Sequence, residues 1–482
     1  MQDNKPTLPN AYVNINNRNL GLSPGLVTGI MAFTGVCQEG AAAFDAIVSL
    51  NKSDVAAQIG YGELADELLD FFDAGGRKAI AVPLDITTEA TGTGAMTPTR
   101  IGSSTGTIAL DKVSGKKISI GAKVQIEITS TETTTAGKAK FKYSLDGGVN
   151  FSPEIYVPAT TYEIPGTNME LTFTAGAGAT YWEDGDLFDS TIVKPEASTG
   201  DIEDAADAII ASDYQIDAMV IVPDCSPALG TSLQTKIKAA EGKPDFRYAY
   251  CMVHADLAAS DMSDLMTLYN ALRATVENDR MQVVGAEAVM RRVNHGGAEI
   301  EKTCIGIIAG RRSALDPQND LGRFDAGALA NVLRLRENMT ETLTEDLDAI
   351  RVVTIRQFKG VAGFRPTNGW MTDPFSDIKK DAWRVVLDDA SHIARITALG
   401  RLKNEVNPAD IEGSTTALKN DIQNALGTEI VGKGRAVSVI VDIPNDQDIM
   451  TTETLLVDLQ LLPYGHMSWI GITVAITNPA TA

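Results

Sequence analysis

The clearest change in hydrophobic period along the chain falls between residues 349 and 406. An apolar run, Ala-Ile-Arg-Val-Val-Thr-Ile over 349–355, reads as a strand. A turn interrupted by glycine and proline comes next, Lys359-Gly-Val-Ala-Gly-Phe-Arg-Pro-Thr-Asn-Gly-Trp-Met. Period 3.6 then predicts a helix over about 378–406. Ile378, Ala382, Trp383, Val386, Leu387, Ala390, Ile393 and Ile396 fall on one side, and Lys380, Arg384, Asp388, Ser391 and Arg395 on the other. The apolar side predicts a core helix. The basic stripe needs a separate reason.

Upstream, the patterning divides the chain. Residues 1–20 hold two prolines and six asparagines and read as an arm with one short strand, in which Tyr12 lies opposite Val13 and Ile15. A lone strand must pair with a sheet elsewhere, in its own molecule or a neighbour. Residues 21–86 read as an α/β unit: a buried strand, an amphipathic helix over 63–72 with Gly75-Gly76 as its stop, and a strand from Lys78. Residues 87–198 turn rich in threonine, glycine and serine with period-2 runs, which predicts an inserted all-β domain. Helices and strands alternate again over 199–345, including a helix expected over 298–311, and this rhythm argues a mostly parallel sheet. Residues 346–482 form an α+β C-terminal segment. It holds a second helix over 408–426 and strands over 435–441, 455–461 and 470–476, the last with Ile470, Ile472, Val474 and Ile476 on one side. The fold class expected is thus α/β multidomain with an inserted all-β domain and an α+β C-terminal domain. Its terminal strands are free to complete a sheet in a neighbouring subunit.

Composition narrows the function. At 482 residues the chain exceeds one compact core, and 44% hydrophobic with 22% charged residues describes a globular protein. The net charge of −22 disfavours nucleic acid, whose affinity comes from lysine and arginine replacing counterions. No apolar run approaches the length of a membrane span, and the N-terminus lacks the features of a secretory signal, so the chain is expected to stay in the cytoplasm where it is made. Cys37, Cys225, Cys251 and Cys304 have no CxxC spacing and read as buried, reduced side chains.

Candidate chemistry is sparse. His254, His295, His392 and His466 lie far apart, so no metal or other cofactor is expected. His254-Ala-Asp256 is the one fragment that suggests a hydrolytic site, and no nucleophile elbow accompanies it. Gly427 to Lys433 imitates seven positions of a phosphate-binding loop. Gly434 stands where a serine or threonine is required, and a helix precedes the stretch where a strand is needed. Ser144-Leu-Asp-Gly-Gly-Val-Asn-Phe151 resembles an Asp-box hairpin and reads as a well-made turn.

Three stretches carry a family resemblance: Gly21-Leu-Ser-Pro-Gly-Leu-Val-Thr-Gly-Ile, residues 66–82 with their helix, double glycine and strand, and Lys359-Gly-Val-Ala-Gly-Phe-Arg-Pro-Thr. With the helix after Asp381-Ala-Trp-Arg and the β-rich C-terminus, they resemble the contractile phage tail sheath proteins. The family's Gly-x-Arg-Thr turn appears here with an inserted proline. The resemblance implies a non-enzymatic subunit that polymerises with itself around a tail tube protein and meets baseplate and tail terminator proteins, without nucleic acid or membrane insertion. It implies a virion location after assembly in the host cytoplasm. The 199–345 region would have a subtilisin-like topology without the triad. Strand exchange would use Tyr12, Val13 and Ile15 with Ile470, Ile472, Val474 and Ile476. The long helix would face the tube through Lys379, Lys380, Arg384, Arg395 and Arg401, in a segment where six basic and three acidic residues stand between Lys379 and Lys403. The sheath of a bacterial contractile injection system, a glycan-binding protein using the β-rich insertion, and a hydrolase built on His254 are the alternatives.

Overall fold

A computed structural model describes residues 29–468, except 39, 101, 103, 132–138, 159–160, 178–179, 242–249, 256–261, 293–297 and 338. The chain divides into two compact units, Met1–Asp388 and Asp389–Ala482.

The first unit is built on a seven-stranded sheet. Its spatial order is Val352–Val353, Met281–Val284, Tyr250–Val253, Ala218–Ile221, Ile30–Val36, Lys78–Leu84 and Val48–Leu50. All neighbours run parallel except the last pair. These strands are almost wholly buried, which explains why their sequences read as continuous apolar runs rather than alternating ones. Alternate residues still feed different cores. Met31, Phe33, Ala79, Ala81, Val220 and Met252 join the helices Glu63–Asp73 and Ile305–Ala314. Ala32, Ile80, Val82, Met219, Ile221 and Val253 join the helices Thr199–Ala211, Pro227–Glu241, Met262–Thr275 and Glu341–Ala349. The sheet is thus covered on both faces.

This sheet differs from the sequence reading in one important way. Residues 21–86 and 199–345 are read there as separate α/β parts, yet Ile30–Val36 pairs with Ala218–Ile221, with Met31 opposite Ala218. Even Val352–Val353, read as part of the C-terminal segment, closes an edge of the same sheet. Burial drives this joining: strands apolar on both faces require a neighbour on each side and a layer above and below.

Helices Glu63–Asp73 and Ile305–Ala314 approach closely because Gly306 and Gly310 sit one turn apart. A Cβ at Gly310 would lie 2.2 Å from the carbonyl oxygen of Phe71, and one at Gly306 would lie 2.4 Å from that of Glu67. The expected helix over 298–311 begins only at Ile305. Its first part is the strand Glu299–Thr303, paired antiparallel with Glu287–Arg291, which in turn pairs with Val332–Leu335. Alternation in Glu-Ile-Glu-Lys-Thr prevails there over the helical period that begins at Ile305.

Between Lys78–Leu84 and Thr199–Ala211 the chain forms two antiparallel sheets. One orders Thr161–Ile164, Met169–Thr174, Thr107–Lys112 and Gly94–Ala95. The other orders Thr97–Arg100, Leu187–Ile192, Ala122–Ile128, Lys140–Ser144 and Ile155–Tyr156. They share a core of Leu110, Ile126, Phe141, Leu171, Phe173 and Phe188. Phe141, Phe173, Trp182 and Phe188 meet in series with ring centroids 4.8 to 6.0 Å apart.

In the second unit, the helix Ile411–Leu426 is capped by Asp410, whose side chain accepts from the Gly413 N–H. A wide turn over Gly427–Val431 leads from it into the strand Ala436–Asp442. The helix expected over 378–406 is Asp381–Leu399 and crosses the boundary between the units.

Candidate assembly surface

The strand Ala436–Asp442 pairs antiparallel with Asp458–Pro463, and among the described residues these two strands are the whole sheet. One side is covered. Val439, Val441 and Ile443 are buried together with Ile422 and Leu426 of the covering helix. That helix also reaches the backbone: Gln423 donates its amide to the Val439 carbonyl at 2.8 Å and accepts the Val441 N–H at 2.9 Å. A side-chain amide thereby takes one register of an edge that a strand would otherwise occupy. Gln447 ties the connection between the strands by bonding Leu456 N–H and C=O, at 2.6 and 3.0 Å.

The other side is open. Ile440 is 57% exposed, Leu462 56% and Val437 47%, and just beyond the second strand Met467 is 87% exposed. A two-stranded sheet is marginal alone, and one with an apolar outer side and strand edges favours the addition of further strands. Sequence reasoning identified the two strands but not Gln423 or this exposed apolar side. The alternation of Val437 and Ile440 with buried neighbours was its one available signal. The expected exchange strands, with Tyr12, Val13 and Ile15 and with Ile470, Ile472, Val474 and Ile476, lie outside the described residues.

The basic stripe of the long helix is a correction. Lys380 and Arg384 do not face solvent; both are buried. Lys380 Nζ donates to Asn368 at 2.6 Å, pairs with Asp320 at 3.2 Å and lies 3.8 Å from the Trp370 ring centroid. Arg384 binds Asp279 at 2.9 Å and Asp388 at 2.5 Å. Asp381, at the start of the helix, is fully buried 3.7 Å from Arg312, and burial pushes its carboxyl up to about 6. The helix is therefore packed on its polar side too, against acidic groups from distant loops. The i,i+4 spacing of Arg384 and Asp388 was a visible hint of pairing. Of the other expected contact residues, Lys379 is exposed, Arg395 is half-buried, and Arg401 is exposed and paired with Asp421 at 2.7 Å.

The first unit holds a second polar cluster, where a cavity of about 330 Å³ opens beside the C-terminal ends of the parallel strands. Its charges are matched internally. Arg292 meets Asp66 at 3.1 Å, Lys194 meets Asp224 at 2.7 Å, and Lys302 donates to both Glu67 and Asp70 at 2.6 Å. Burial pushes Asp70 up to about 7 against the Lys302 charge, and pushes Asp224 up to about 6 against Lys194. His254 lies here with Nε2 2.7 Å from the Val222 carbonyl and Nδ1 3.0 Å from that of Ala255. Nδ1 also lies 3.4 Å from Thr303 Oγ1 and 3.6 Å from an Asp224 carboxylate oxygen, so backbone and side-chain oxygens together hold the ring. Asp256, the suggested partner of His254, lies outside the described residues.

The Asp-box-like turn is structural in its geometry. Asp146 accepts from Val149 N–H, Asn150 N–H and Ser144 Oγ, and also from Glu299 N–H at 3.0 Å, 153 residues away. The phosphate-loop imitation also resolves: Lys433 pairs with Glu429 within its own turn. Among the described residues no group of side chains has the makings of a metal site, and no helix is long and apolar enough to cross a membrane.

The family described as DUF2586, N-terminal domain, matches residues 8–369, and DUF2586, C-terminal domain, matches residues 381–481. No curated protein matches the chain. Among solved structures, the chain is similar to the PVC sheath complex of an extracellular contractile injection system in its contracted state. Identity is 11%, coverage is 100% of both chains, and the TM-score is 0.55. It is similar also to the contracted helical sheath of the anti-feeding prophage, at 11% identity, over 98% of this chain and 99% of that one, with a TM-score of 0.54. A sheath tail protein from Listeria innocua matches at 11% identity over 91% of this chain and 96% of that one, with a TM-score of 0.47. The mixed α/β fold of this chain is therefore that of contractile sheath proteins.

Proposed function

The chain belongs to the DUF2586 family, and from its sheath fold and its unfinished hairpin we propose that it is the structural, non-enzymatic subunit of a contractile sheath. The subunit polymerises with itself around a tail tube, ends at baseplate and terminator proteins, and contracts to drive the tube through an envelope. A phage tail and a related contractile injection system use such a subunit alike. One observation carries the reading: among the described residues the sheet of Ala436–Asp442 and Asp458–Pro463 has two strands, with Val437, Ile440 and Leu462 exposed on its outer side. Strands supplied by neighbours complete it, from the arm around Tyr12 and from the terminus around Ile470 to Ile476. Such ties can hold subunits together while rings rearrange, because each exchanged strand docks locally through main-chain hydrogen bonds.

Tube contact falls to the exposed Lys379 and Arg401 and the half-buried Arg395, since Lys380 and Arg384 are buried within the subunit. Negative-stain microscopy of the purified chain at rising concentration tests the reading. Rings or tubes support it, and a chain that stays monomeric even with its tube protein contradicts it.

A further inference from the structure

The turn at Lys359 to Pro366 carries an exposed feature that strand exchange does not use. Phe324 is 50% exposed and meets Phe358 edge-on, with ring centroids 5.5 Å apart. Arg365 lies 4.3 Å from the Phe324 ring and Arg356 lies 4.5 Å from the Phe358 ring, so the two rings and two guanidinium groups form one ladder. Lys359 and Arg323 flank it, both exposed. Asp325 pairs with Arg323 at 2.5 Å and Glu341 with Arg356 at 3.2 Å, and the Asp316 charge also acts on Arg323. Aromatic and arginine side chains gathered on a half-open patch are the composition of an interface centre.

A second feature has the opposite sign. On the helix Thr199–Ala211, the carboxylates of Glu203, Asp204 and Asp207 share a single lysine, Lys236, which lies 4.0 Å from Glu203 and 2.5 Å from Asp207. The helix also carries Asp201, so four carboxylates stand against that one lysine. Leu321 and Leu329, which flank Phe324 in sequence, belong to one core, whereas Ile202, Ala205 and Ile209 of the acidic helix belong to the other. Two different and complementary patches define a heterologous contact, the kind that repeats from copy to copy into a ring or helix. In a chain of net charge −22, copies repel, and a local basic patch is what allows close approach.

We propose that the Phe324–Phe358 patch docks the acidic side of helix Thr199–Ala211 of a second copy of this chain. The proposal rests on the sheath reading for its repetition, though not for the contact itself. Three forms of the full chain test it: Arg323→Glu with Lys359→Glu, Asp204→Lys with Asp207→Lys, and all four together. These side chains are exposed, so each form keeps the melting temperature of the parent. Sedimentation at low and high salt reads self-association, and microscopy reads its form. Each two-residue form requires about tenfold more protein to associate, and the four-residue form returns to the parent value. Two-residue forms that associate like the parent, or a four-residue form that does not recover, overturn the proposal. Tubes insensitive to these charges sink this contact and leave the sheath reading standing. Salt-sensitive short oligomers with rescue do the reverse, and a parent that is monomeric at low salt sinks both.

Discussion

Arg280 and Asp388 meet in a two-point contact, Nη1 to Oδ2 at 2.9 Å and Nη2 to Oδ1 at 3.0 Å, with the arginine side chain 1% exposed. Asp388 also receives Arg384, and Arg280 reaches on to Glu241 at 2.9 Å. The polar side of the long helix is thus an internal ion network.

Removing the shared carboxylate leaves two buried guanidinium groups one partner short, with Glu241 still at Arg280 and Asp279 still at Arg384. Asp388→Ala is expected to lower stability by about 3–5 kcal/mol, read by urea unfolding. Arg401→Ala, which breaks an exposed pair with Asp421, is expected to change it by less than about 1 kcal/mol. Equal effects at the two sites would contradict the burial described.

Stability should depend on pH through Asp70. Burial raises its carboxyl to about 7 in the folded chain, above the ordinary value of 3.8, so the folded state holds a proton that the unfolded state releases. Its contribution is complete below about pH 4 and is lost as pH rises through about 7. Asp70→Asn removes this part, and the difference in unfolding free energy between pH 5 and pH 7.5 changes by on the order of 1 kcal/mol. An unchanged difference would count against it.

Gln423 seals part of the hairpin edge. Gln423→Ala exposes the Val439 carbonyl and Val441 N–H and is expected to cost about 1–2 kcal/mol locally. Hydrogen exchange of the Val441 amide should accelerate accordingly, and unaltered protection would show that another group holds that edge.

Much of this was legible in the sequence, and the failures have physical causes. Strand and helix alternation, the β-rich stretch after Lys78–Leu84 and the helix ending at Leu426 all come from local period. The pairing of Met31 with Ala218 does not, because nothing local selects a partner strand so far away. Lys380 and Arg384 looked solvated because the helix period shows which residues share a side, but not what that side packs against. Asp279 and Asp320, which neutralise them, stand more than fifty residues away in sequence. The unfinished hairpin was half legible: its strands are set by alternation, while its exposed apolar side depends on where the covering helix lies.

The central claim is that terminal strands from neighbours complete the hairpin sheet. Deleting residues 1–20 or 468–482 and examining each form by sedimentation and negative-stain microscopy tests it most directly. The account predicts folded subunits that form no rings or tubes at concentrations where the full chain does. Tubes that persist after both deletions would contradict it.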